Sequence, residues 1–462
     1  MKKIFVPLAV MAVMALAFTG CAGEEDDIFD KTAAERLNES SAKYSARLEA
    51  QPNGWAMQYY PTYYDESPYG SGYLILMRFN KDYSVDVSMD NRFSNNFYAE
   101  ATSGWEVIKD NGPVLTFNTY NSCMHAFSDP EDIPWTEDNE QSEGCGGDYE
   151  FIIVDAPEDA SYMMLKGKKR NTYNLLTPIE EGVDYKEYLA DVKAFHNSIF
   201  PEAELASNLM FFGDSLYRMD GSNDGLPNVY PYEADAVANE FFNPFLITKR
   251  GNDYYLRFRD KFEKSFMKGT LQELRYDSIQ DVFVGTDDPE WRITGYPKGQ
   301  FFEERLLSSG QWQLNANSNM SDKVKDQIAT VTASFKKKNV TFRGLRLVRV
   351  VNKEGKANLN WQVQYQERGK AQTWASYRYT MERTDDVVTF QFVEPENDAA
   401  NNLLSLFDGT DDLLKRMLAL QFTVSKVENN FVVRVLRLTS TSDPDIWFEV
   451  TTPATNTNVT GV

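Results

Sequence analysis

The sequence contains only two histidines, His125 and His196, and only three cysteines, Cys21, Cys123 and Cys145. It has no His-Glu-x-x-His motif and no closely spaced cysteine pair, so it lacks the ligand sets of zinc proteases and of structural zinc sites. We therefore expect no metal ion and no cofactor.

Positive charge is also scarce. The chain has 47 Lys and Arg against 69 Asp and Glu, which gives a net charge of −22 at pH 7. A protein this acidic repels the phosphate backbone of DNA and RNA. We therefore expect no nucleic-acid partner.

Long hydrophobic runs are absent beyond the first residues of the chain. Lys2 and Lys3 precede an uncharged, mostly apolar stretch over 4–18, and a small residue stands directly before Cys21. This arrangement is typical of a signal-peptide core followed by a lipoprotein cleavage site. We predict a signal peptide over 1–20 and a lipid on Cys21. The alternative is an ordinary secretory signal with an incidental cysteine.

Four acids, Glu24 to Asp27, follow the cysteine. Consecutive like charges cannot pack, so 21–30 is predicted to be a solvated, lipidated tether. The run resembles the acidic signal that sends lipoproteins of the Bacteroidota type to the cell exterior. We expect an outer-membrane protein that is exposed at the surface and held by its lipid.

The two remaining cysteines, Cys123 and Cys145, lie on either side of a loop rich in Asp, Glu and Gly. Cysteines of an exported protein can pair, so a disulfide between them is possible. Two free thiols are the alternative.

The patterning predicts a mainly β fold. We expect a lipocalin-like barrel or a sandwich with a leading helix over 31–180, a helical connector over 181–204, and a second β-rich region with a few helices over 205–462. The N-terminal prediction rests on alternating apolar residues over 73–79 and 83–89, which indicate a hairpin.

The last third of the chain shows the same alternation. Its clearest runs lie at 359–366, 375–381, 388–392 and 431–435. Helices are predicted over 31–49, where Thr32 and Glu35 have capping-box spacing, near 184–200, and over about 398–419.

The residues Gly213-Asp214-Ser215-Leu216 match the nucleophile motif of an esterase family. Both histidines precede Ser215, whereas that esterase family takes its base from a histidine near the C-terminus. A serine without a base is a poor nucleophile. We interpret the motif as a strand followed by a Gly-Asp turn.

Two further chemistries remain open. The segment from Asp220 to Gly225 has the spacing of ligands and glycine that is found in calcium-binding loops. However, Pro231 stands where such a loop requires a bidentate Glu, and a polar turn is the alternative. The many acids offer carboxylate pairs that could hydrolyse a glycoside, although no motif selects one pair.

Tyrosines gather around residues 59–73, and Tyr63, Tyr64 and Tyr69 lie in a segment with Pro, Gly and Ser. Flat aromatic faces can stack on sugar or peptide groups, so we predict these three as ligand-binding residues. Packing of the tyrosines against the sheet is the alternative.

Several strings carry a family resemblance. They are Phe29-Asp30, Glu35-Arg36-Leu37, Gly54-Trp55-Ala56-Met57-Gln58-Tyr59-Tyr60-Pro61, the run from Gly72-Tyr73 to Phe79, the run from Gly112-Pro113 to Tyr120-Asn121, His125-Ala126-Phe127-Ser128-Asp129-Pro130 and Gly147-Asp148-Tyr149-Glu150-Phe151. Together they resemble an uncharacterised family of Bacteroidota surface lipoproteins, a domain of unknown function, most clearly over 28–180.

That resemblance implies an association with starch-utilisation-like uptake systems of the outer membrane, and no catalytic residues. We expect a non-enzymatic binding component for a nutrient glycan or peptide. Its partners would be an outer-membrane transporter and the companion binding lipoprotein. A surface hydrolase with a site built from scattered carboxylates is the alternative.

Overall fold

The computed structural model describes residues 31–61, 72–110, 112–129, 145–200, 208–220, 225–232, 241–262, 271–307, 310–315, 317–351 and 357–452. The predicted signal peptide, the lipidated Cys21 and the tether lie outside these residues. The fold is mainly β with a few helices, as the sequence predicted, and three sheets follow one another along the chain.

The first sheet follows helix α1 (Ala33–Glu49) and is antiparallel throughout. Its strands are β1 (Trp55–Tyr59), β2 (Tyr73–Phe79), β3 (Ser84–Met89), β4 (Ala99–Gly104), β5 (Glu106–Asp110), β6 (Gly112–Thr116), β7 (Glu150–Asp155), β8 (Met163–Gly167) and β9 (Tyr173–Pro178). The strand order is β4-β3-β2-β1-β9-β8-β7-β6-β5. The two edge strands, β4 and β5, are therefore neighbours in the chain.

The core of the first sheet comes from the alternation that the sequence shows. Ile75 and Met77 of β2 and Val85 of β3 are completely buried. Helix α1 packs on β5 and begins with the predicted capping box, in which the Thr32 hydroxyl accepts from the Glu35 N–H.

The second sheet follows helix α2 (Tyr185–Ile199) and repeats this arrangement. Its strands are β10 (Asn208–Phe212), β11 (Ser215–Asp220), β12 (Asn228–Pro231), β13 (Phe241–Phe242), β14 (Phe245–Arg250), β15 (Asp253–Phe262), β16 (Leu271–Asp277), β17 (Val282–Gly285) and β18 (Trp291–Gly295). The order is β13-β12-β11-β10-β18-β17-β16-β15-β14, the same as in the first sheet. In both sheets the leading helix packs on the fifth strand, β5 or β14.

The third sheet is a closed barrel. Helix α3 (Lys298–Leu307) precedes it, and helix α4 (Asp322–Lys337) separates its first two strands. The strands are β19 (Gln311–Leu314), β20 (Val340–Val351), β21 (Ala357–Glu367), β22 (Gln372–Thr384), β23 (Val387–Pro395), β24 (Gln421–Lys426), β25 (Val435–Ser440) and β26 (Trp447–Thr451). Within the described ranges no helix is long and apolar enough to cross a bilayer.

The prediction of one helix over about 398–419 is wrong. The structure has α5 (Asp398–Leu406), a short α6 (Thr410–Asp412) and a π turn (Leu413–Met417). Gly409 has φ of 79°, a left-handed conformation that ends the regular path between α5 and α6.

The prediction of a strand over 431–435 is also wrong, because β25 begins only at Val435. Phe431 is buried, but its ring packs outside the barrel against Phe200, which follows helix α2, and Phe283 of β17, with centroids 6.0 and 5.9 Å away. The alternation in this segment therefore reflects packing against two cores.

A cluster of polar contacts connects the second sheet to the third. The Asp281 carboxylate accepts from the Tyr276 hydroxyl at 2.6 Å, from Lys426 Nζ at 2.9 Å and from the Asn430 main-chain N–H. Lys298 Nζ donates to the Asn430 carbonyl oxygen. Burial alone would raise the pKa of Asp281, but these hydrogen bonds hold it below its usual value.

Candidate functional site

A cleft lies between the outer faces of the first and second sheets. Its inner part has a volume of about 470 Å³ and is lined by Tyr60, Met164, Tyr173, Leu175, Arg257, Arg259, Asp260, Lys261 and Gln272. An adjoining part of about 680 Å³ extends the cleft past Met164 and Leu175. The added lining residues are Asp155, Ser161, Tyr162, Thr177, Pro178, Glu180, Arg250 and Glu273.

The first wall comes from β1, β8 and β9, whose side chains alternate between the core and the cleft. Tyr60 directly follows β1, and its main-chain N–H donates to the Asn174 side chain at 2.8 Å. Its hydroxyl lies 3.4 Å from the Arg257 carbonyl oxygen on the opposite wall. Tyr60 therefore bridges the two sheets at the cleft, while Tyr173 of β9 is 47% exposed.

The second wall is the outward face of β15. Leu256 and Phe258 of this strand are completely buried in the second core. Arg257, Arg259 and Lys261 line the cleft, and so does Asp260 between them. The pairing of β15 with β16 shifts register between Arg257 and Phe262, and such an irregularity lets consecutive residues reach the same side.

Two arginines of the cleft are neutralised. Arg259 pairs with Asp260 at 2.8 Å, and Arg250 makes a two-pronged pair with Glu273 at 3.0 and 2.5 Å. Among the residues that the structure describes, the Arg257 guanidinium has neither an ion pair nor a hydrogen bond. Desolvation lowers the pKa of Arg257, although the group stays charged at any physiological pH.

The three predicted ligand-binding tyrosines, Tyr63, Tyr64 and Tyr69, lie outside the described residues. Their described neighbours Tyr60 and Gly72 both lie at the contact between the first two sheets, where a Cβ on Gly72 would be 2.5 Å from the Tyr60 ring. That Tyr63, Tyr64 and Tyr69 bind a ligand stays a prediction.

Two other tyrosines of the cluster take the alternative role of packing. Tyr59 and Tyr73 are buried and contact the Phe127 ring, with centroids 5.0 and 4.9 Å away. Neither could stack on a ligand at the surface.

Cys123 and Cys145 are buried free thiols in this structure. The Cys145 N–H donates to the Phe127 carbonyl oxygen at 3.0 Å, and Cys123 belongs to the same core as Phe127. The possible disulfide between the two cysteines stays a prediction.

The esterase-like motif is a hairpin turn, as interpreted from the sequence. Ser215 is the first residue of β11 and pairs with Phe212 of β10, and Gly213 has φ of 57° in the turn between them. The histidines lie elsewhere: His125 stacks on Tyr149 at 4.8 Å, and His196 is a residue of helix α2.

One described acid has a perturbed environment of a structural kind. Among the described acids, Asp148 is the one whose pKa is raised, by desolvation, and its oxygens accept the main-chain N–H groups of Lys169 and Arg170 at 2.9 Å. That geometry holds a turn. No group of three His, Cys, Asp or Glu side chains that could hold a metal ion occurs in the described part of the chain.

The sequence contains one signal for the second wall of the cleft. Arg257, Arg259 and Lys261 stand at every second position of a very acidic chain. The partner wall could not be found this way, because Tyr60 and Tyr173 come from strands of a different sheet.

Comparison with known proteins identifies one family model that matches this chain. The domain of unknown function DUF4302 matches residues 25–270, more than half of the 462-residue chain and a range that contains the inner cleft except for Gln272. No curated protein matches the chain.

Among solved structures, the chain is similar to the crystal structure of the DNA polymerase III subunit beta from Pseudomonas aeruginosa. The identity is 8% and the TM-score 0.13, over 90% of this chain and 97% of that chain. A likeness this low carries no argument about fold or function. The family match confirms the resemblance to a domain of unknown function, and the chain belongs to the DUF4302 family.

Proposed function

We propose that this protein is a non-enzymatic binding component at the cell surface, which captures a nutrient glycan or peptide for uptake. The observation that carries the proposal is the cleft between the first two sheets. It combines aromatic and apolar surface with the Arg257 guanidinium, which has no ion pair or hydrogen bond within the described part of the chain. This combination is found in binding sites. Such sites fix the orientation of a ligand with a few polar groups.

The cleft favours binding over hydrolysis for a further reason. A general acid needs a raised pKa, and a general base needs a carboxylate that is free to take a proton. Of the acids that line the cleft, Asp260 and Glu273 on the second wall are instead paired with Arg259 and Arg250, and Asp155 on the first wall accepts from the Tyr162 hydroxyl. The negative charges of Asp260 and Glu273 therefore compensate the two arginines.

The proposal includes the placement of the protein. The lipid on Cys21 and the acidic run after it would hold the molecule on the outer membrane, facing outward. An outer-membrane transporter and its companion binding lipoprotein would receive the ligand. Tyr63, Tyr64 and Tyr69 are proposed as additional ligand contacts.

Blocking the cleft tests this function. Met164 is half-buried and lines both parts of the cleft. We expect Met164→Trp to fill the space and to weaken binding about tenfold or more, because a ligand would lose its contact area. The measurement is affinity electrophoresis and calorimetry with a set of neutral and acidic polysaccharides and a tryptic casein digest.

A matched control is Val393→Trp, which introduces the same side chain at an exposed position on β23 of the third barrel. The control should bind like the wild type, and both variants should keep its melting temperature. Equal binding by Met164→Trp and the wild type would contradict the proposal. So would the release of reducing ends or new amino termini from a probe by the purified protein.

A further inference from the structure

The inner cleft carries the opposite charge to the molecule. The whole chain has a net charge of −22. Among the described residues, the inner cleft is lined by Arg257, Arg259 and Lys261 and by one acid, Asp260. Because Asp260 pairs with Arg259, the charges of Arg257 and Lys261 remain uncompensated in the lining.

Arg257 is the group best placed to hold an anion. The residue is half-buried, and its pKa is lowered by desolvation, so its charge is poorly solvated. A poorly solvated cation without a carboxylate is costly in the free protein and gains when an anion arrives. The guanidinium fork matches a carboxylate, which it can bind through two parallel hydrogen bonds.

We propose that the cleft binds an acidic glycan and that Arg257 holds the carboxylate of a uronate residue, with Lys261 beside it. This proposal rests on the binding function proposed above and names its ligand class.

One aromatic group of the cleft suits a sugar ring. Tyr173 lines the inner part and is 47% exposed, whereas Tyr60 is 3% exposed and contributes to the wall without offering a free ring face. Lys166 Nζ lies 5.7 Å from the centre of the Tyr173 ring, which adds a cation at the mouth. Sugar rings stack on flat aromatic faces, and a uronate places its carboxylate on the same ring that stacks.

The strands that form the cleft disfavour a peptide bound by strand addition. β9 pairs with β1 and β8, and β15 pairs with β14 and β16. An extended peptide gains its main-chain hydrogen bonds from a free strand edge, and neither of these strands has one. A glycan needs no free edge, because its recognition uses side chains and ring stacking.

The acidity of the whole molecule does not prevent such binding. At physiological ionic strength the Debye length is about 8 Å, so distant acids are screened while a charge in contact with its partner is not.

The experiment compares one sugar with and without its charge. Tetragalacturonate and its methyl ester differ only in the carboxylates, and calorimetry at fixed salt measures both. For the wild type we expect the acid to bind about tenfold to a hundredfold more tightly than the ester, the range of a charge-assisted hydrogen-bonded pair. Arg257→Met should abolish that preference, and Arg257→Lys should keep part of it.

The matched control is Arg368→Met, which removes an exposed arginine from the turn between β21 and β22 of the third barrel. It should keep the full preference of the wild type for the acid. Melting curves of every variant report folding. If Arg257→Met does not fold, the acid–ester comparison on the wild type and on Arg257→Lys still decides the question.

Three outcomes overturn the inference. Equal binding of acid and ester, unchanged in Arg257→Met, would show a site for neutral glycans and leave the proposed binding function intact. Binding of acidic casein peptides but not of tetragalacturonate would assign the site to peptides. Binding of no polysaccharide or peptide at all would remove the proposed function together with its ligand class.

Discussion

The two cysteines of the first domain illustrate how burial controls reactivity at single residues. Desolvation raises the pKa of Cys123 to about 11 and that of Cys145 to about 12. An unfolded thiol loses its proton near pH 8.5, so above that pH the unfolded state binds fewer protons than the folded state. The free energy of unfolding should therefore fall as the pH rises from about 8.5 towards the pKa values of the folded thiols.

We expect the native protein to react with Ellman's reagent at pH 8 about a hundredfold more slowly than an unfolded thiol, because the thiolate is the nucleophile. A soluble form that begins after Cys21 and is kept free of reductant should show two thiols in denaturant. Cys123→Ala and Cys145→Ala should each show one. Rapid reaction of the native protein would contradict the burial, and no reaction in denaturant would instead establish the disulfide.

Single residues of the cleft were the least predictable from sequence. Alternation identifies Arg257 as an outward residue of its strand, but alternation carries no information about what that face meets. The contact with Tyr60 joins residues that are far apart in sequence and come from two sheets. Only the packing of whole sheets brings them together.

At the scale of elements, helix α3 begins with a charged residue that is buried where the second and third sheets meet. Lys298 is 6% exposed, and desolvation together with nearby Lys426 lowers its pKa to about 8. An unfolded lysine keeps its proton to about pH 10.4. Between these values the unfolded state binds more protons, so the stability should rise with pH across this window.

We expect the free energy of unfolding of the wild type to rise by about 2 kcal/mol relative to Lys298→Met between pH 7.5 and 9.5, at about 1.4 kcal/mol per unit. Urea titrations at both pH values measure the difference. Lys325→Met is the control, because Lys325 is a largely exposed residue of α4 whose loss should leave the pH dependence unchanged. Parallel curves for Lys298→Met and the wild type would show that Lys298 keeps an ordinary pKa.

Elements with strong local signals were predictable. The hairpin of β2 and β3 and the helix over 31–49 follow from alternation and from the capping box, both of which are local. Helices α3 and α4 were not predicted. The second sheet was missed as a sheet, because several of its strands are short and its order depends on pairing between distant strands, such as β10 with β18.

At the scale of the whole molecule, the repeated strand order explains where the cleft comes from. Two units, each a helix and nine strands in the same order, lie side by side, and the cleft is the space between their outer faces. The DUF4302 match ends at residue 270, but β10 pairs with β18, so the second unit is complete only at Gly295. A protein cut at residue 270 would lack β16, β17 and β18, the three strands that connect β10 to β15 in this sheet.

The placement of the whole molecule is the last prediction. If the lipid on Cys21 is the anchor, Cys21→Ala should move the protein from the membrane fraction to the soluble fraction, because lipid chains supply the membrane affinity. Replacing Glu24 to Asp27 with alanine is the matched variant, since it keeps the lipid and removes the charge. This variant should stay with the membrane and become protected from protease added to intact cells. Fractionation followed by immunoblotting, with and without protease, reads out both effects. A Cys21→Ala protein that remains in the membrane fraction would refute the anchor, and a wild-type protein resistant to external protease would refute surface exposure.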